Sequence, residues 1–62
     1  MKNLKFKAWV VEHGIQQAEI AKLLHISLQL VNAKLNGREP WTLEQVKILC
    51  EHYKISADIY FI

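Results

Sequence analysis

Residues 17–37 read QAEIAKLLHISLQLVNAKLNG, and their pattern decides the fold. Ile20, Ala21, Leu23 and Leu24 recur at helical spacing, with Gln17, Glu19 and Lys22 on the other side. A small side chain at Ala21 lets a crossing helix approach closely. His25-Ile26-Ser27 then interrupts the pattern. Ile26 is suited to plug the angle between two helices. Ser27 is a favoured N-cap, whose hydroxyl accepts a bond from an orphan backbone N–H. A second helix is expected from Leu28 towards Asn36, with Gly37 placed to stop it. Helix, short turn and helix is the layout of the helix-turn-helix.

The flanking segments read as helical support. Asn3 can cap a first helix running to about His13, with Gly14 as its stop. Phe6, Trp9, Val10 and His13 form one stripe and Leu4, Ala8 and Val11 another, a breadth that predicts packing on two neighbours. Gly37-Arg38-Glu39-Pro40 is a loop, because a proline disfavours the helical conformation in the residue before it. Thr42 starts a further helix with Gln45 three residues on, as in a capping box. Leu43, Val46, Leu49, Cys50 and Tyr53 are expected to form its buried face, and Ile48 to fall off that stripe. Lys54-Ile55-Ser56 is a break, with Ser56 capping a final turn that ends in Ile59-Tyr60-Phe61-Ile62. No segment alternates with period two, so no sheet is expected. The expectation is one all-α domain over 1–62, a compact bundle of four to five short helices around the motif at 17–37.

These residues resemble the Cro/CI-type, or xenobiotic-response-element-type, helix-turn-helix family of phage regulators. Gln17, Ala21, Leu24, Ile26, Ser27, Val31 and Asn36-Gly37 carry the resemblance within the motif. Trp41-Thr42-Leu43-Glu44-Gln45, Tyr53 and Ser56-Ala57-Asp58-Ile59-Tyr60-Phe61 are similar to the tail of small regulators from temperate phages of Gram-positive bacteria. The resemblance implies a lambda-repressor-like fold and a role in transcription. It also implies that Gln17 touches the DNA backbone and braces the residues that read bases. The chain departs from the pattern at His25, where a glycine is usual, and at Leu28, where a polar reader is more common.

Composition narrows the function classes. A chain of 62 residues buries only about 60% of the surface its unfolded form exposes. A deep catalytic pocket is therefore not expected, and no paired acid–base or nucleophile constellation is present. Cys50 is the only cysteine, which rules out an internal disulfide. It reads as a small core residue. His13, His25 and His52 lack the partners of a zinc site, so neither metal nor cofactor is expected. Trp9 and Trp41 read as wedges between helices. No stretch approaches a membrane span and the N-terminus does not read as a secretion signal, so the bacterial host cytosol is the expected location.

Charge is unevenly distributed. Lys2, Lys5, Lys7, Lys22, Lys34 and Arg38 against Glu12 and Glu19 give residues 1–38 a balance of +4, while residues 39–62 carry −2. The basic part contains the motif, which suits a phosphate-facing surface.

On the second motif helix, inward Val31 and Leu35 leave Leu28, Gln29, Asn32 and Ala33 facing out. Gln29 and Asn32 are suited to read adenine, because an amide donates and accepts together on its edge. Leu28 can press on a thymine methyl. Ser27, Lys34, Asn36 and Arg38 are candidate phosphate contacts. Each has a plainer reading: Gln29 and Asn32 as solvated amides, Ser27 as a cap, Lys34 snorkelling over apolar surface, and Asn36-Gly37 as a helix-ending pair.

Leu28 and Leu30 sit awkwardly in a pure DNA reader, since exposed apolar side chains on a functional face mark protein contacts. Two partners therefore stand at this stage. Operator DNA would be read through the helix starting near Leu28. Alternatively, an antirepressor or modulator of repression would dock on a partner repressor through Leu28, Leu30, Gln29 and Asn32. A monomer or weak homodimer is expected, through Ile48 or the apolar tail if the tail does not fold under the first helix as core.

Overall fold

Ile20, Val31 and Leu49 are the largest fully buried side chains, and each comes from a different helix. The computed structural model describes residues 4–61. Its five helices are α1 (Lys5–Glu12), α2 (Gln17–Leu24), α3 (Leu28–Leu35), α4 (Leu43–Tyr53) and α5 (Ala57–Tyr60). No strand occurs among the described residues. The domain measures 25 × 25 × 23 Å. Helices α2 and α3 pack most extensively on each other, and α5 packs on both α1 and α4.

Local chemistry sets the helix boundaries. The Leu30 amide donates to Ser27 Oγ at 3.1 Å, so the cap at the start of α3 forms as the sequence predicts. Thr42 and Gln45 exchange both bonds of a capping box at the start of α4. Helix α2 ends at His25, which takes the left-handed conformation at φ 58° while Ile26 N–H closes back on the Ala21 carbonyl. Gly14 and Gly37, at φ 65° and 77°, turn the chain after α1 and α3 as expected. Lys54 does the same after α4, at φ 57°. The predicted cap of α1 by Asn3 lies outside the described residues. Ser56 precedes α5 but makes no side-chain cap; its carbonyl, not its hydroxyl, accepts from Ile59 and Tyr60.

The core joins Phe6 and Val10 of α1 to Ile20, Ala21 and Leu24 of α2, Val31 and Leu35 of α3, and Leu49 of α4. An aromatic cluster seals one end. Phe6 lies 4.8 Å from Phe61 and 5.6 Å from Trp41, centroid to centroid, and Trp9 meets both Tyr53 and Tyr60 edge-on. The tail thus folds back on α1 through Tyr60 and Phe61. Ile59 points outward instead, and Ile62 lies outside the described residues.

Two expected core stripes are narrower than the sequence suggests. On α1 the Leu4, Ala8 and Val11 stripe is uncovered, and His13 is exposed while stacking on Trp9. With five short helices, one neighbouring layer covers α1 rather than two. On α4 Leu43 is 86% exposed, whereas Ile48 packs half-buried against the core. At about 100° per residue, Leu43 stands about 120° round the helix from Leu49 and in the first turn. Val46, Cys50 and Tyr53 are half-buried.

Candidate nucleic-acid interface

The outer face of α3 is assembled by three backbone decisions. Ser27 starts α3 immediately after the turn, so Leu28 and Gln29 stand in its exposed first turn. Packing of α2 on α3 sets Gln17, at the head of α2, beside Asn32. Finally, the left-handed Gly37 folds the following loop back along α3, and the Arg38 and Glu39 amides both bond to the Ala33 carbonyl, at 2.9 and 3.3 Å. This return brings Arg38 over the same face.

Asn32 is the centre of the resulting network. Its Nδ2 donates to Gln17 Oε1 at 3.3 Å, and its Oδ1 accepts from Arg38 Nη2 at 2.8 Å. Gln17 and Asn32 are therefore joined across the two motif helices. Gln17, Leu28, Gln29, Asn32, Ala33, Arg38 and Glu39 together line an open concavity of about 660 Å³. Leu28 is 53% exposed beside Gln29, while Leu30 is half-buried.

Several sequence candidates are placed elsewhere. Lys34 is only 7% exposed: its ammonium donates to the Pro40 carbonyl at 2.6 Å and lies 5.8 Å from the Trp41 ring centroid. Its ammonium is engaged within the protein, so the side chain is not presented to solvent on the outer face of α3. Asn36 is turned the other way, accepting from Lys7 Nζ at 2.5 Å and donating to the Asn32 carbonyl at 2.8 Å. Ser27 acts as a cap beside the concavity rather than in its wall.

The basic half of the chain consequently does not concentrate its charge here. Arg38 is the cation among the lining residues, and Glu39 sets a carboxylate next to it. Glu39 was missed as a site residue because its sequence reads as an ordinary loop. Only the bonds from the loop to the Ala33 carbonyl reveal its position. Lys7 was likewise invisible as a tether, since its partner is 29 residues away.

The perturbed titrating groups lie outside this face. Burial pushes the Cys50 thiol up from its ordinary value. Burial, and then the Glu19 charge, push the Tyr53 hydroxyl up. The Tyr53 oxygen is buried and finds no hydrogen-bond partner among the described residues. No group of three or more His, Cys, Asp or Glu side chains among those residues could hold a metal ion. No helix among them is long and apolar enough to cross a membrane.

Two helices joined at a three-residue turn, the second capped by Ser27 and bridged to the first by amides, define an all-α domain of helix-turn-helix type. The chain belongs to the BetR domain family, whose profile matches residues 5–62. The match supports a general helix-turn-helix-like regulatory module and does not extend to the Cro/CI-type phage group that the motif residues resemble. No curated protein and no solved structure matches the chain.

Proposed function

We propose that the domain is a transcriptional regulator of a phage-like genetic switch, acting in the bacterial host cytosol and binding operator DNA with the first turns of α3 in the major groove. The observation that carries this reading is the grouping of the Gln29 and Asn32 amides on one face of α3, with Asn32 tied to Gln17 on α2. An amide edge that donates and accepts matches adenine, and each such contact supplies about 1–3 kcal/mol of discrimination. Leu28 packs on a thymine methyl beside them. Regulation is steric: an occupied operator excludes polymerase or a competing repressor.

Half-sites of such operators lie about 34–36 Å apart, one helical turn. The domain is 25 Å across, so filling both halves takes two copies, held by a weak homodimer contact or by DNA alone. Selection from a pool of randomised duplexes, followed by titration at several salt concentrations, tests the reading. An enriched sequence bound with a falling log K against log salt supports it. No enrichment above the starting pool overturns it.

A second reading is favoured by Leu28, whose exposure leaves an apolar side chain on a face with little net charge. Here the same surface, with Gln29, Asn32 and part of Leu30, docks on a partner repressor and masks it as an antirepressor. Leu28→Asp would then abolish binding to the repressor of the same switch and preserve the fold. Unchanged affinity in that variant removes this reading.

A further inference from the structure

We infer that Arg38 is a positioning residue for base recognition: with Gln17 it fixes the orientation of the Asn32 amide, and it does not serve as a phosphate anchor. This rests on the DNA-reading role of α3 proposed above.

The orientation follows from the chemistry of the three partners. A guanidinium only donates, so the end of the Asn32 amide facing Arg38 at 2.8 Å must be the oxygen. That places Nδ2 towards Gln17, which must in turn present Oε1, the 3.3 Å contact observed. An isolated asparagine amide flips and offers donor and acceptor in either order. Here one cation at the end of the chain of bonds removes that choice. The amide has two donor hydrogens and two acceptor positions, and the network uses one of each. One N–H and one lone pair remain, the pair that the N7 and N6 edge of adenine requires. A flipped amide would set donor against donor at the N6 amino group.

The placement of Arg38 is built into the backbone. Gly37 at φ 77° turns the chain, and the Arg38 amide is fixed at 2.9 Å on the carbonyl of Ala33, the residue next to Asn32. The neighbouring Glu39 lines the same concavity, so a phosphate drawn to Arg38 would also meet a carboxylate. That neighbour is poorly suited to a phosphate anchor and harmless to an internal hydrogen bond.

The two roles for Arg38 differ in what its removal does. The test is selection from randomised duplexes with the wild-type chain, Arg38→Ala, Asn32→Ala and the double variant, each checked for wild-type helicity and followed by salt titrations. A positioning role gives loss of adenine preference, on the order of tenfold, at one base pair shared by Arg38→Ala and Asn32→Ala. The double variant loses no more than either single change, and the salt slope of Arg38→Ala matches the wild type. A uniform loss over all sequences, with a slope lower by about one, assigns Arg38 to a phosphate and overturns the inference. Unchanged preference in Arg38→Ala also overturns it. If the wild-type chain itself enriches no sequence, the DNA-reading role fails, and the inference falls with it.

Discussion

Lys7 Nζ donates to Asn36 Oδ1 at 2.5 Å, tying the first turn of α1 to the residue that closes α3. The same Asn36 side chain also donates to the Asn32 carbonyl at 2.8 Å. One asparagine thus fixes the end of α3 and its docking on α1. Asn36→Ala should cost about 1–2 kcal/mol of stability, and Lys7→Met about 1 kcal/mol, because a bond to a charged group contributes more than a neutral one. Urea unfolding measures both. An unchanged midpoint in Asn36→Ala would show that the tether contributes nothing.

Positive φ at His25 sets up a second expectation. A non-glycine residue pays roughly 1–2 kcal/mol in the left-handed region, and glycine does not. His25→Gly should therefore raise stability by about 0.5–1 kcal/mol, after the entropy of the freer unfolded chain is subtracted. Gly14→Ala tests the converse. Its added Cβ meets no atom within 4 Å, yet φ is +65°, so any loss measured by thermal unfolding reports backbone strain net of the entropy removed from the unfolded chain, with no steric clash.

Tyr53 makes stability depend on alkaline pH. Its hydroxyl is pushed up from 10.0 by burial and by Glu19, and the Cys50 thiol is pushed up from 9.0 by burial. For both groups the folded state holds its proton more tightly than the unfolded chain. Their stabilisation is fully present below the unfolded values and is lost as pH rises towards the folded ones. Unfolding free energy should fall above about pH 9. Since the buried Tyr53 oxygen has no partner among the described residues, Tyr53→Phe should leave neutral stability within about 0.5 kcal/mol and flatten the alkaline loss. An alkaline slope identical in both proteins would contradict this.

Much of the fold was legible in the sequence, for reasons that are local. The caps at Ser27 and at Thr42 with Gln45 need only neighbours three residues away. The Ile20, Ala21 and Leu24 stripe needs only the helical period. The contacts that were not legible depend on chain path. Lys34 turns inward because the loop brings the Pro40 carbonyl and Trp41 over it, and nothing at position 34 announces that return. Arg38 reaches Asn32 for the same reason. On α4 the period allows more than one apolar stripe, and the packing of neighbouring helices selects Leu49 and Ile48 over Leu43. Within the site, Gln17, Leu28, Gln29, Asn32 and Arg38 were named from sequence and share one face. The network joining three of them was not foreseen beyond the brace by Gln17.

The outcome on α4 gives a direct contrast. Leu49→Ala removes a fully buried side chain and should cost about 2–5 kcal/mol. Leu43→Lys changes an exposed leucine and should stay within about 0.5 kcal/mol of the wild type. Chemical denaturation of the two variants checks the pair, and a large loss in Leu43→Lys would place that residue in an interface.

The central claim is that the outer face of α3 meets DNA, and amide chemical-shift mapping with a selected duplex tests it most directly. If α3 meets DNA, the largest changes fall on Gln17, residues 27–33 and Arg38, together with the side-chain amides of Gln29 and Asn32, while α4 and α5 stay near their free positions. Changes centred on α4 or α5, with the amides of Gln29 and Asn32 unmoved, would contradict it.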